Sequence, residues 1–366
     1  MSIFERYGCK QVINASGKMT ALGASAVHKD VAAAVAEAAM DYVDISELMV
    51  QAGKVIAEVT GAEDGCPTTG AAGGIAISVA AVIAGTSLSL IERIPLTDGL
   101  RNEIIIQKGH SVHFGASIPQ MIAIGGGKVV EVGQANHVEK DHIAEAVTDK
   151  TAALLYVKSH HAVQKGMQSI ETMAAIAKDK GIPLIVDAAA EEDFRKYVAM
   201  GVEIVVYSGG KALEGPTSGF ICGRADLMVA CRAQYKGVGR PMKIGKEGII
   251  GLLTALRRYD NRPDESQQQR ERMEWLIAEL KDVPGVKGAI TQDEAGRAIY
   301  RAQLTIDAKA AGKTAYELIK ELESGSPAVY TRNHYSNLGI ISVDPRPLLE
   351  GQERVIAQRI KEILQA

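Results

Sequence analysis

The sequence predicts an α/β fold, with a largely parallel sheet in a larger domain and a smaller α+β domain after it. Three observations predict it. From about residue 47, helix-spaced segments alternate with short aliphatic runs in the manner of βαβ units. Those runs are apolar throughout instead of alternating, which suits strands covered on both faces. Aromatic residues make up only 4% of the chain while glycine occupies 37 positions, a balance favouring Ala/Val/Ile-packed layers joined by tight loops over an all-β fold.

Residues 1–45 are expected to form an N-terminal arm. Residues 48–59 have helical spacing, and 72–84 read as a small, apolar helix. Apolar runs at 103–106, 128–131, 153–157, 182–187 and 202–206 read as strands, and 220–223 as an antiparallel return. Past Gly248 the pattern changes. Residues 249–259 and 265–281 suit long helices, 298–306 and 339–343 strands, and 314–323 and 351–364 further helices. The expected larger domain therefore covers 46–255 and the smaller one 256–366.

A formal net charge of −3 and a pI near 6.3 supply no basic footprint for duplex or tRNA binding. Cys9, Cys66, Cys222 and Cys231 lack paired CxxC spacing, so they read as reduced thiols and not as a zinc or disulfide framework. Residues 1–8 carry no charged-then-apolar signal pattern, and no apolar run approaches the ~18 residues of a membrane span. The expected location is the cytoplasm.

The stretch Tyr207-Ser208-Gly209-Gly210-Lys211-Ala212-Leu213-Glu214-Gly215-Pro216 places one lysine in a glycine-rich loop directly after the run at 202–206. Upstream, the run at 182–187 ends in the carboxylate of Asp187. This pairing suits pyridoxal 5'-phosphate (PLP). That cofactor needs a lysine for its Schiff base and a carboxylate to keep its pyridine nitrogen protonated.

In open α/β sheets ligands sit beyond the carboxyl ends of the strands, and the other candidates fall there. Pro67-Thr68-Thr69-Gly70-Ala71-Ala72-Gly73-Gly74 opens the helix at 72–84, so backbone N–H groups face a phosphate and Thr69 adds a hydroxyl. Taken alone, the same motif is a plain helix start. Gly125-Gly126-Gly127-Lys128 lacks P-loop spacing and precedes a strand, which marks a turn. After the strand at 103–106 an imidazole can cover the cofactor ring and relay protons, with His113 the first choice and His110 in reserve. His160, after the strand at 153–157, is a candidate donor to the cofactor's 3'-oxygen. These histidines have no acidic or cysteine partner at ligand spacing, which disfavours a metal site. Arg240 and Lys243 are candidates for a substrate phosphate, while Lys246 reads equally as a solvated cation. Arg332 and Arg346 are candidates for a substrate carboxylate, or else surface ion pairs.

Asn14-Ala15-Ser16-Gly17, Thr60-Gly61-Ala62-Glu63, Gly201-Val202, Ser208-Gly209-Gly210-Lys211, Gly215-Pro216-Thr217-Ser218-Gly219 and Asp344-Pro345-Arg346-Pro347-Leu348 together resemble the bacterial selenocysteine synthase family of fold type I PLP enzymes. The resemblance implies an aspartate aminotransferase-like fold, the Schiff base on Lys211 and the pyridinium partner on Asp187. It also implies Thr69, Gly70, Ala71 and Ser208 at the PLP phosphate and Ala189 among the cofactor contacts. The family's Arg-x-x-Arg anion clamp falls on Arg240 and Lys243, so its second arm is changed here. Selenocysteine synthases carry Ser-Gly-Asp-Lys where Gly210 precedes the lysine, asparagines at Thr69 and Gly70, and Ser-Asn at Ser159-His160. These departures, the acidic balance and the missing tRNA-binding extension argue against aminoacyl-tRNA as substrate. The expected activity is PLP-dependent α,β-elimination of ammonia from a phosphorylated 2-amino-sugar acid. The alternatives are β-replacement on a phosphorylated seryl donor and a catalytically silent PLP-binding protein. Expected partners are the small substrate and further copies of the chain, as a homodimer or a larger assembly of dimers, with no nucleic acid and no membrane.

Overall fold

A computed structural model describes residues 2–159, 161–293 and 298–365. The chain divides into two compact units, Val27–Asn261 and the pair Met1–Ala26 with Arg262–Ala366. Residues 1–45 thus do not stand as one arm. Val12–Ala15 pairs in parallel with Ala328–Thr331, which ties the first residues to the smaller unit, while the helix α1 (Lys29–Met40) belongs to the larger one.

The larger unit is built on seven strands: β1 (Asp64–Thr68), β2 (Glu103–Gln107), β3 (Lys128–Val132), β4 (Thr151–Val157), β5 (Leu184–Asp187), β6 (Ile204–Ser208) and β7 (Gly219–Gly223). Their order across the sheet is β1-β7-β6-β5-β4-β2-β3. β7 runs antiparallel to both its neighbours and every other pairing is parallel, as the apolar runs predict. Ile105, Leu154, Val186 and Val205 pack on one face and Ile104, Ile106, Leu155, Ile185 and Val206 on the other, all buried. β1 escapes the sequence pattern because Asp-Gly-Cys-Pro-Thr reads as a turn. It lies at the sheet edge, where a proline removes no donor from a central ladder.

Helix α2 (Ile45–Thr60) starts where the Asp44 side chain accepts from Ser46 and Glu47 N–H, and it ends at left-handed Gly61. Helix α3 (Ala71–Ala84) is apolar on all sides and buried continuously from Gly74 to Ala81. It lies so close to the sheet that a Cβ on Gly74 would stand 2.5 Å from Val206 Cγ1, which only glycine avoids. Helix α4 (Lys246–Tyr259) closes the unit. The Lys246 ammonium donates to the carbonyls of Ala38 and Ala39 at the end of α1, so it caps a helix instead of remaining solvated.

In the smaller unit an antiparallel sheet joins Val286–Gln292, Tyr300–Ile306 and Ile340–Val343. Helices Ser266–Leu280, Ala315–Ser324 and Gln352–Gln365 cover it through Met273, Leu276, Leu318, Leu322, Ile356 and Ile360. Among the described residues no helix is long and apolar enough to cross a membrane.

Candidate active site

The parallel sheet brings its carboxyl strand ends to one edge, and the register fixes what meets there. Asp187 lies opposite Val157 of β4 and Val206 of β6, so the turn beginning at Gly209 starts beside the carboxylate. That turn is closed by Gly209 N–H to Ser218 carbonyl at 2.8 Å and Gly215 N–H to Gly209 carbonyl at 2.7 Å. A Cβ on Gly209 would fall 2.2 Å from Ser218 Oγ, so the closure requires glycine. Glu214 takes a left-handed φ of 57° to complete it. Lys211 is thus presented from a tight, strained loop.

Asp187 is buried, and among the described residues its carboxylate accepts one hydrogen bond, from Ala189 N–H at 3.2 Å. Burial raises its pKa to about 6, against the opposing pull of the Lys211 charge and the Ala189 N–H. Burial likewise lowers the pKa of Lys211, which the Asp187 charge only partly restores. Each group therefore has its charged form disfavoured by the same desolvation. Such an acid and amine accept a cationic ring nitrogen and an aldehyde carbon, the two ends of PLP chemistry.

The third requirement is an anion seat. α3 begins at Gly70 with no side-chain cap, so its first N–H groups are not occupied by a capping oxygen. A Cβ on Gly70 would meet nothing within 4 Å, which leaves room at that end. The Thr69 hydroxyl donates to Met242 carbonyl at 3.3 Å, bringing the short helical turn Arg240–Met242 alongside. Arg240 and Lys243 on this segment are exposed. Ser208, at the end of β6, stands half-buried at the same sheet edge.

The histidines separate. His110 is buried: its Nε2 pairs with Val163 carbonyl at 3.0 Å, its Nδ1 accepts from Val157 N–H at 3.3 Å, and its ring meets Tyr156 edge-on. Burial and the nearby Lys158 charge lower its pKa to about 4, with the Val163 bond opposing. A neutral imidazole with both nitrogens engaged is a structural tie between β2 and β4. His113 is exposed, in the small hairpin His113–Phe114 with Ala116–Ser117. His160 lies outside the described residues. Sequence reasoning passed over Gln164, whose Oε1 accepts from Tyr156 hydroxyl at 3.1 Å and Lys158 Nζ at 3.4 Å. No local pattern marks it, because the contact arises only when Gln164 folds back against β4. Cys66, Cys222 and Cys231 are buried thiols whose pKa values burial pushes up, and Cys9 is exposed. Among the described residues no group of three or more His, Cys, Asp or Glu side chains is placed to hold a metal.

In the smaller unit the two candidate arginines differ. Arg346 closes its fork on Asp344 at 3.0 and 2.8 Å, and Asp344 also pairs with buried Arg301 at 2.9 Å. Burial alone would raise the Asp344 carboxyl, but Arg346 and Arg301 overcome it and hold the pKa at about 2. Arg301, which the sequence reading did not single out, bridges on to Asp293 at 2.9 Å. Arg332 is half-buried and, among the described residues, forms no ion pair; burial and the Arg301 charge lower its pKa. Gly17 adjoins this group, for a Cβ there would lie 3.8 Å from Arg332 Nη1.

The sequence profile of the L-seryl-tRNA selenium transferase family matches residues 12–287. A 5'-C-glycyluridine monooxygenase-decarboxylase from Streptomyces sp is 46% identical over 99% of this chain and 92% of its own. A D-glucosaminate-6-phosphate ammonia lyase from Salmonella typhimurium is 42% identical over 99% of this chain and 98% of its own. An L-seryl-tRNA(Sec) selenium transferase from Aquifex aeolicus is 27% identical over 78% of this chain and 68% of its own. Among solved structures, a D-glucosaminate-6-phosphate ammonia-lyase superposes with a TM-score of 0.96 at 42% identity, covering 100% of this chain and 98% of that one. An aspartate aminotransferase from Thermus thermophilus shares the fold at a TM-score of 0.51 and 16% identity, over 98% of this chain and 93% of that one. The chain belongs to the L-seryl-tRNA selenium transferase family, on the fold type I architecture of PLP enzymes.

Proposed function

We propose that the protein is a PLP-dependent ammonia-lyase acting on a phosphorylated 2-amino-sugar acid, D-glucosaminate 6-phosphate in the first instance. The observation that carries this reading is the desolvated Asp187–Lys211 pair at the carboxyl edge of a fold matching an ammonia-lyase over its full length. When bound, the cofactor supplies an electron sink for negative charge at the substrate's Cα. Lys211 Nζ would hold it, and the lowered pKa of that amine favours the neutral form able to take the Cα proton. Asp187 stabilises positive charge on the ring nitrogen, and Ala189 N–H orients that carboxylate. His113 or His160 donates a proton to the departing C3 hydroxyl. Water lost across C2–C3 is regained when water cleaves the C2–N bond, leaving the C2 ketone and releasing ammonia, so the net products are 2-keto-3-deoxygluconate 6-phosphate and ammonia. The test is equimolar 2-keto acid and ammonia from D-glucosaminate 6-phosphate; release of neither overturns the reading.

A second reading rests on the 46% identity to the monooxygenase-decarboxylase. The same pair can generate Cα charge for a reaction with dioxygen. Oxygen uptake with carbon dioxide release from a nucleoside amino acid, without ammonia from the sugar acid, would favour it.

Two anion contacts follow. Arg240 and Lys243 serve the substrate phosphate, and Arg332, whose fork among the described residues is not closed on a carboxylate, serves the substrate carboxylate in preference to Arg346. Losing a charge-assisted contact costs about 1.5–3 kcal/mol, or about one to two decades in kcat/KM. Arg240→Ala should show that loss for the phosphorylated substrate and little of it for D-glucosaminate. Arg332→Ala should lower both by the same factor, since both carry the carboxylate. Reversed patterns in steady-state kinetics would exchange the assignments.

Self-association is also proposed. Met40, Tyr42, Val43 and Ile45, interspersed with Asp41 and Asp44, are exposed apolar side chains on the larger unit, and Tyr42 is 98% exposed in the single chain. A homodimer or an assembly of dimers should appear in sedimentation velocity at micromolar protein; a monomer there would refute it.

A further inference from the structure

Thr69 makes a contact that a phosphate ligand would not need. Its hydroxyl donates to Met242 carbonyl at 3.3 Å, across 173 residues of sequence. The Met242 side chain lies over the first turn of α3, since a Cβ on Gly73 would stand 3.5 Å from Met242 Sδ and 3.2 Å from Thr69 Oγ1. The segment so held is otherwise anchored upstream. Gln234 is buried, its amide donates to Gly85 and Ala230 carbonyls, and its own carbonyl accepts from Gly237 and Gly239 N–H. Beyond Gly239 the turn has its own bonds, Arg240 N–H to Gly237 and Met242 N–H to Gly239. Among the described residues, the Thr69 hydroxyl is the one side-chain group from outside that bonds to the backbone of residues 240–243.

We propose that Thr69 is a positioning residue, whose hydroxyl latches the turn carrying Arg240 and Lys243 against the start of α3 and so sets the enzyme's preference for a phosphorylated substrate. The inference rests on the reading that these two cations receive the substrate phosphate. A guanidinium and an ammonium on exposed side chains bind a dianion well only if their backbone is fixed, because ordering a loose turn draws on the binding free energy. The latch does that ordering in advance. Thr69 then acts on substrate preference through Met242.

The test compares Thr69→Val, which keeps the shape and loses the donor, with Thr69→Ser, which keeps the donor. Trypsin cuts after Lys236 and Lys243 but not between Arg240 and Pro241, so native-state cleavage followed by mass spectrometry reports the freedom of this turn. Thr69→Val should be cut faster by about three- to tenfold, the scale of one hydrogen bond, and Thr69→Ser at the wild-type rate. D-gluconate 6-phosphate, which has no amine to react, should bind the holoenzyme about three- to tenfold more weakly in Thr69→Val by calorimetry, with D-gluconate unchanged. PLP affinity, titrated on the apoprotein by absorbance, should stay within about twofold. Weakened PLP binding with unchanged cleavage and unchanged gluconate 6-phosphate binding would overturn the proposal and make Thr69 a cofactor-phosphate ligand. If the wild type binds gluconate and gluconate 6-phosphate alike, the phosphate reading fails and with it the specificity role. The cleavage rates then decide the latch separately.

Discussion

Lys211→Ala should abolish turnover, by at least about 10³-fold in kcat, together with the visible absorbance of lysine-linked cofactor, while the protein remains folded. The side chain stands on a turn closed by backbone bonds between Gly209, Gly215 and Ser218, so its removal leaves those contacts in place. What it removes is an amine that burial has made easier to deprotonate. Lys211→Arg separates charge from chemistry. A guanidinium keeps the positive charge near Asp187 but remains protonated, so it cannot take a Cα proton. That variant should be as inactive as the alanine form. The alanine form should also show Asp187 titrating higher than in the wild type, because the Lys211 charge is one of the influences lowering it. Turnover within tenfold of wild type in either variant would remove Lys211 from the reaction.

Asp187→Asn should bind PLP and lose about 10²–10³-fold in kcat, since a neutral amide no longer stabilises positive charge on the ring nitrogen. The apoprotein gives an independent readout. The folded-state pKa of Asp187 is raised from 3.8 to about 6. Well below pH 3.8 the carboxyl is protonated in folded and unfolded chains alike and carries no penalty. As pH rises through the window from about 4 to 6 the unfolded chain ionises first, so this group costs stability, and above about 6 the cost is complete. A shift of about two units corresponds to about 3 kcal/mol. Urea unfolding of the two apoproteins should therefore show Asp187→Asn gaining on the wild type by about that amount between pH 4 and pH 7. Parallel stability curves across this range would mean that the carboxylate is not desolvated. Wild-type kcat in the variant would place the ring's partner elsewhere.

The α/β layering could be read from residue order because its causes are local. Unbroken aliphatic runs such as Ile104-Ile105-Ile106 and Leu184-Ile185-Val186 can be satisfied only by strands covered on both faces, and these strands are buried on both sides of the sheet. Asp187 and Lys211 were visible for the same reason, Asp187 standing directly after such a run and Lys211 in the loop that follows one, where a parallel sheet collects its loops. Three features had no local cause. Val12–Ala15 joins the smaller unit through a parallel partner more than 300 residues away, so periodicity placed it in an arm. His110 and His113 look alike in sequence, yet His110 has both ring nitrogens engaged by backbone of Val157 and Val163 while His113 is exposed. Arg332 and Arg346 look alike too, but Asp344 closes the fork of Arg346 and leaves Arg332 half-buried beside it. Backbone pattern depends on neighbours in sequence. Whether a polar side chain is tied up or available depends on which distant groups fold against it, and for these histidines and arginines only the packed chain settles that.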